Sequence, residues 1–262
     1  MGQINFLYLL IIFLRLNCSP LTMIPIIKKE LHQFFSSLTG YIAIALFLMV
    51  CSLYLFTLKD SNIFDFGYAT LITFFELAPW VFIFLIPALS MRIFADEFKS
   101  GTFETLQTRP LTWWQIVFGK YLSILIIIII ALIPTLLYVI TIRSLSSTGG
   151  IDSGAITGSY LGLLLLAAVF AAISTWCSSL TSNAVIAFLL SAFFCIILYF
   201  GFNAISKLPV FTGNADYYIE MQGIDFHYQS ISRGVIDTRD IIYFASLILL
   251  FLFATKKSLT QK

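Results

Sequence analysis

The chain is poor in charge. Only 11% of its 262 residues are Asp, Glu, Lys or Arg, less than half of the about 25% carried by an ordinary soluble domain. So few ionic side chains cannot wrap a core of this size, which excludes a water-soluble enzyme or binding domain. The 15 basic and 13 acidic residues leave a net charge of +2, with no basic excess to recruit nucleic acid. Histidine is scarce as well. His32 and His227 are the only two, and their separation rules out the paired-His motifs of metal enzymes. The cysteines Cys18, Cys51, Cys177 and Cys195 are scattered, three of them within apolar runs, and suggest neither a disulfide framework nor a thiolate metal site. No catalytic residue, bound cofactor or metal is read from the chain.

Apolar residues supply the rest: 60% of the sequence is hydrophobic and the mean hydropathy is +0.97. A hydrocarbon core about 30 Å thick requires about 20 apolar residues in a helix, and six runs meet or approach that length. They lie at approximately 41–58, 69–91, 120–142, 156–178, 183–202 and 240–255. The fold class is therefore an all-α integral membrane protein with six transmembrane helices. Six spans place both termini on one side, and Lys and Arg near the span ends favour that side as the cytoplasm, nine against five. On this reading the segment 92–119 faces the cytoplasm. The stretch 203–239 between spans 5 and 6 is external, and is the one outer piece long enough to fold on its own.

Residues 24–38 have helical spacing, with Ile24, Ile27, Leu31, Phe34, Phe35 and Leu38 on one face, Lys28, Lys29, Glu30 and Gln33 on the other, and Pro25 at a helix start. They are expected to form an interfacial amphipathic helix. The apolar run before them, within 1–22, is too short to span and lacks a signal peptide's basic start and cleavage site. It reads as a start-site extension, with 23–262 as a single transmembrane domain.

Between spans 2 and 3 lies a dense polar island. A short helix from about Thr102 would end before Pro110, because the residue preceding a proline disfavours the α region. Thr112-Trp113-Trp114-Gln115 has the form of a capping box that opens the next helix, and the two tryptophans suit headgroup depth. Arg92, Lys99, Arg109 and Lys120 could equally act only as topology determinants. Elsewhere, Gly154, Gly158 and Gly162 leave one face of span 4 open to close helix contact, within the chain or with a partner. Glu76 is the one acid inside a span. It is a functional candidate by its position, or a carboxylate snorkelling to the outer headgroups. Pro79, Pro87 and Pro134 fall within spans and are expected to kink them.

Asp96-Glu97, then Ser100-Gly101-Thr102-Phe103-Glu104-Thr105-Leu106, then Pro110 and Gly119-Lys120 resemble the loop between the second and third spans of type-2 ABC exporter permeases. The stretch from Phe226 to Asp240 resembles the segment before the last span in that family, most closely its gliding-motility-associated branch, and similarity extends through Phe35 to Ala43. The resemblance covers 23–262. It implies a half-transporter of the bacterial inner membrane that pairs with a second permease subunit and with a cytosolic ABC ATPase holding ATP and Mg. The short helix after Gly101 would be the coupling helix, and Asp96, Glu97, Ser100, Gly101, Thr102, Glu104, Leu106 and Pro110 the coupling residues. The chain has no phosphate loop of its own: Gly119-Lys120 has Trp114 where GxxxxGK[ST] needs its first glycine and Tyr121 where it needs the hydroxyl. Two other classes are weighed against a permease. One is a non-transporting anchor of a motility or secretion machine. The other is an intramembrane enzyme, disfavoured because the spans hold no histidine and no second acid beside Glu76.

Overall fold

The computed structural model describes residues 20–57, 71–107, 111–145, 153–208, 214–234 and 237–261. Among them are six helices long and apolar enough to cross a membrane: span 1 (Leu38–Phe56), span 2 (Ile72–Ser100), span 3 (Trp113–Ser144), span 4 (Gly154–Leu180), span 5 (Ala184–Ser206) and span 6 (Thr238–Thr260). Even span 3, with five consecutive isoleucines from Ile126 to Ile130, is helical. In hydrocarbon no water satisfies the backbone, so the helix overrides the β preference of branched side chains. Span 4 is the most buried of the six and packs against spans 2, 3, 5 and 6. Its inner half is small or compact, with Ala167, Ala168, Ala171 and Ala172 all buried, which lets four neighbours approach one axis.

Several spans outlast their apolar runs. Span 2 continues nine residues past a break at Met91, and span 3 begins at Trp113 rather than at Lys120. The Met91 break is spliced by span 4: the Ser178 hydroxyl donates to Met91 O at 3.0 Å and accepts from Phe94 N–H at 3.1 Å. Span 3 tightens into a 3-10 turn at Ile133–Thr135 around Pro134. Span 5 widens into a π turn at Ile197–Gly201.

Two of the sequence expectations are corrected here. The chain is already helical at Pro20 and stays so to Ser36, which makes Pro25 an interior residue rather than a helix start; fixed near the helical φ, a proline there removes one hydrogen bond without ending the helix. Residues 1–19 lie outside the described residues. The second correction concerns 203–239, whose described parts do not form a separate unit. Helix Asn214–Glu220 lies against the end of span 5, and helix Ile224–Ser232 folds back onto span 4. Ile224, Tyr228 and Ile231 carry this packing and are buried.

Candidate functional site

The island between spans 2 and 3 is built from the end of span 2 outward. Gly101 takes a left-handed backbone, φ 70°, which closes that helix as only glycine does without strain. The Ser100 hydroxyl donates back to Asp96 O at 2.8 Å and lies 2.9 Å from the Thr102 hydroxyl. The next helix, Thr102–Gln107, is pinned by Phe103, whose ring is buried between Phe98 at 4.7 Å and Trp113 at 6.1 Å. Thr102 and Glu104 are exposed, and Glu104 makes no ion pair with another described residue. The expected capping box is present: Thr112 Oγ1 accepts from Gln115 N–H, and Thr112 N–H donates to Gln115 Oε1 at 2.9 Å.

Beneath the island is a buried ionic joint. Lys120 is 1% exposed, and its ammonium donates to Glu30 Oε1 at 2.8 Å and Ile93 O at 2.7 Å, with Glu97 Oε1 at 3.0 Å. Lys29 adds a second contact to Glu97 at 2.7 Å, and the Phe94 ring lies 4.9 Å from the Lys120 ammonium. One cation thus ties together the N-terminal helix, the extension of span 2 and the start of span 3. Gly119 makes the approach possible, since a Cβ there would stand 3.1 Å from Ile26. Ile26 and Glu30, one turn apart, meet Gly119 and Lys120.

This geometry divides the candidate residues. Glu97 is committed to the joint, while Asp96 is half-buried and lines a cavity of about 260 Å³ together with Glu30 and Arg92. Glu104 remains open to the outside. Leu106's side chain and Pro110 lie outside the described residues. Glu30, assigned by periodicity to a solvated face, is instead buried, because a countercharge from span 3 offsets its desolvation. Lys120, which from sequence could equally act only as a topology charge, is instead the centre of this joint. The signal that could have found it was its place in an apolar run, where an ammonium needs a partner.

At the other end of the bundle, the glycine stripe receives helix 224–232. A Cβ at Gly158 would lie 2.9 Å from Gly234 Cα, and one at Gly162 would lie 2.7 Å from Ile231. Gly154 is exposed at the head of the span. Gly234 has φ 87° and would collide with Ala155 if it carried a Cβ. Tyr228 explains how Pro79 is tolerated. A proline at 79 cannot donate to the carbonyl of residue 75, and the Tyr228 hydroxyl donates to Phe75 O at 2.6 Å in its place.

Next to this contact is a cleft of about 760 Å³ between spans 2, 4 and 5 and helix 224–232. Glu76 lines it, and so does Asp225, whose Oδ2 accepts from Gln229 at 2.9 Å and Asn203 at 3.3 Å. The fold thus brings to Glu76 a second acid from outside the spans. His227 faces elsewhere. Its Nδ1 lies 2.6 Å from Asp240 Oδ1 and its Nε2 2.9 Å from Met221 O, and it fastens the returning helix to span 6.

Comparison with known proteins agrees with this architecture. The model of the ABC-2 family transporter proteins matches residues 24–222, well over half of the chain, and the protein belongs to that family. It is a multi-pass membrane permease of an ABC transporter, the subunit that works with a separate ABC ATPase. No curated protein matches the chain.

Proposed function

We propose that this permease is the membrane half of an ATP-driven exporter of the bacterial inner membrane, with both termini cytoplasmic and helix Thr102–Gln107 as the element gripped by the ATPase. ATP and Mg are bound and consumed on that partner, and a second permease subunit, identical or not, completes the pathway. The observation that carries this reading is the contrast within the island. Glu104 is exposed and without an ion pair among the described residues, on a helix whose base is anchored through the Phe98–Phe103–Trp113 rings to spans 2 and 3. Nucleotide-driven closure of the ATPase would push this helix. The Lys120–Glu97–Glu30 joint would make spans 2 and 3 and the N-terminal helix respond together, since a charge in low dielectric is costly to separate from its partners.

The N-terminal helix fits an interfacial position, because the side that does not meet span 3 carries Ile24, Ile27, Leu31 and Phe35 in an open apolar trough. The likeness of 226–240 to the gliding-motility branch of the family supports assigning the exporter to such a system. Spans rich in Ile, Leu and Phe suit a hydrophobic, lipid-linked or polysaccharide cargo, or a drug, better than a small ion.

The test uses the permease co-expressed with its ATPase in membrane vesicles. Glu104→Lys is expected to abolish permease-dependent stimulation of ATP hydrolysis while leaving membrane insertion and thermal unfolding unchanged; full stimulation by this variant would refute the assignment. An independent check is a cysteine at position 107, which an impermeant thiol reagent should fail to reach in intact cells. Labelling there would place the island on the wrong side.

A further inference from the structure

The cleft beside Glu76 has a composition that the transport reading does not use. The hydroxyls facing it are engaged within the fold: Tyr228 on Phe75 O, Ser159 on Ser232 O at 2.7 Å and Ala155 O at 2.8 Å, Ser232 on Gln229 O at 3.1 Å, and Tyr199 beside the Asp225 carboxylate. Its charged side chains are Glu76, Asp225 and Arg233, two negative and one positive. Asp225 is held by the two side-chain amides described above, whereas Glu76 has neither an ion pair nor a hydrogen bond to any described residue. A carboxylate on a membrane span without a countercharge is a strong attractant for a cation.

Aromatic surface stands next to that carboxylate. Trp80 is one turn from Glu76 on the same helix face, and its ring is 4.3 Å from that of Phe200, which the π turn of span 5 brings to the cleft. π turns recur at functional sites. A cation held against this pair would gain the ring quadrupole as well as the carboxylate. Ile72, Glu76, Trp80 and Phe84 form one exposed stripe at four-residue spacing along span 2, so the acid is set in an apolar track. The volume, about 760 Å³, is in the range of small-molecule sites.

We propose that this cleft binds an ammonium-bearing lipid headgroup, with the ammonium between the Glu76 carboxylate and the Trp80–Phe200 rings and the acyl chains along the stripe toward Phe84. Arg233 would face the phosphate that neighbours the ammonium in a phosphoethanolamine headgroup. The site needs no ATPase to fill, so its fate is independent of the coupling experiment above.

The test is photolabelling of the full-length chain in phosphatidylglycerol nanodiscs, using trace photoactivatable phosphatidylethanolamine or phosphatidylglycerol with the same reactive chain. The peptide containing 72–84 should be labelled about tenfold more by the ethanolamine lipid, the ratio a single well-placed charge contact gives. Glu76→Gln should erase that preference and Glu76→Asp retain part of it. Trp80→Leu, which keeps the charge, should lower it severalfold. Competition by free ethanolamine would support the site with the amine alone as the recognised group; labelling that resists it would support a site for the whole headgroup. Equal labelling by the two lipids, a preference unchanged in Glu76→Gln, or cross-linking of 72–84 to a second copy of the chain in place of lipid would overturn the proposal.

Discussion

Each end of this bundle holds a helix outside the six apolar spans, and the two are held by opposite means. The N-terminal helix is bound to span 3 by charge, with Lys120 between Glu30 and Glu97. Helix 224–232 and the turn after it meet span 4 by close steric packing, where Gly162 seats Ile231 and Gly158 and Gly234 let two backbones meet. A steric contact is short-ranged and has one geometry. An ionic joint tolerates small shifts while resisting separation, because its energy falls slowly with distance and the cost of isolating a buried charge is large. The first suits a fixed wall for the cleft, and the second suits a base that moves as one piece.

The comparison can be broken most forcefully at Lys120. Lys120→Met leaves Glu30 and Glu97 buried without their central cation and is expected to cost about 3–5 kcal/mol, read from thermal unfolding of the purified protein in detergent. A loss no larger than that of a surface ion pair would show the joint to be solvated. Lys29, half-exposed on the same Glu97, is the internal control: Lys29→Ala should cost at most about 1 kcal/mol.

The glycine end should respond less. Gly162→Leu and Gly234→Ala are each expected to cost about 1–3 kcal/mol, the first through overpacking against Ile231 and the second through its positive φ and the approach to Ala155. Limited proteolysis should then cut 203–239 faster, while the N-terminal helix keeps its protection. Loosening of both ends by one of these variants would mean that the two attachments are not independent.

The finest test concerns Tyr228. Tyr228→Phe should cost about 1 kcal/mol by leaving Phe75 O without a donor. In a Pro79→Ala background, where residue 79 regains its N–H, the same substitution should become nearly silent. A double-mutant cycle with a coupling of about 1 kcal/mol reads the difference, and additivity would refute the account of the proline.

The sequence by itself determined what could be decided locally. Runs of apolar residues set six helices, because hydrocarbon leaves the backbone no other way to satisfy its polar groups, and Thr112 with Gln115 marked a helix start because a capping box closes within four residues. The island was legible as a candidate site from its density of polar residues. Its internal division was not: Glu97 and Glu104 are the same residue type seven positions apart, and one is tied to Lys120 while the other is exposed. Glu30 read as solvated for the same reason, since its partner is 90 residues away. Only the tertiary structure decided that 224–232 turns back onto span 4, that Tyr228 serves the carbonyl Pro79 leaves free, and that Asp225 shares a cleft with Glu76. Those outcomes depend on which distant groups meet where no water can stand in for a missing partner, and helical periodicity carries no record of that.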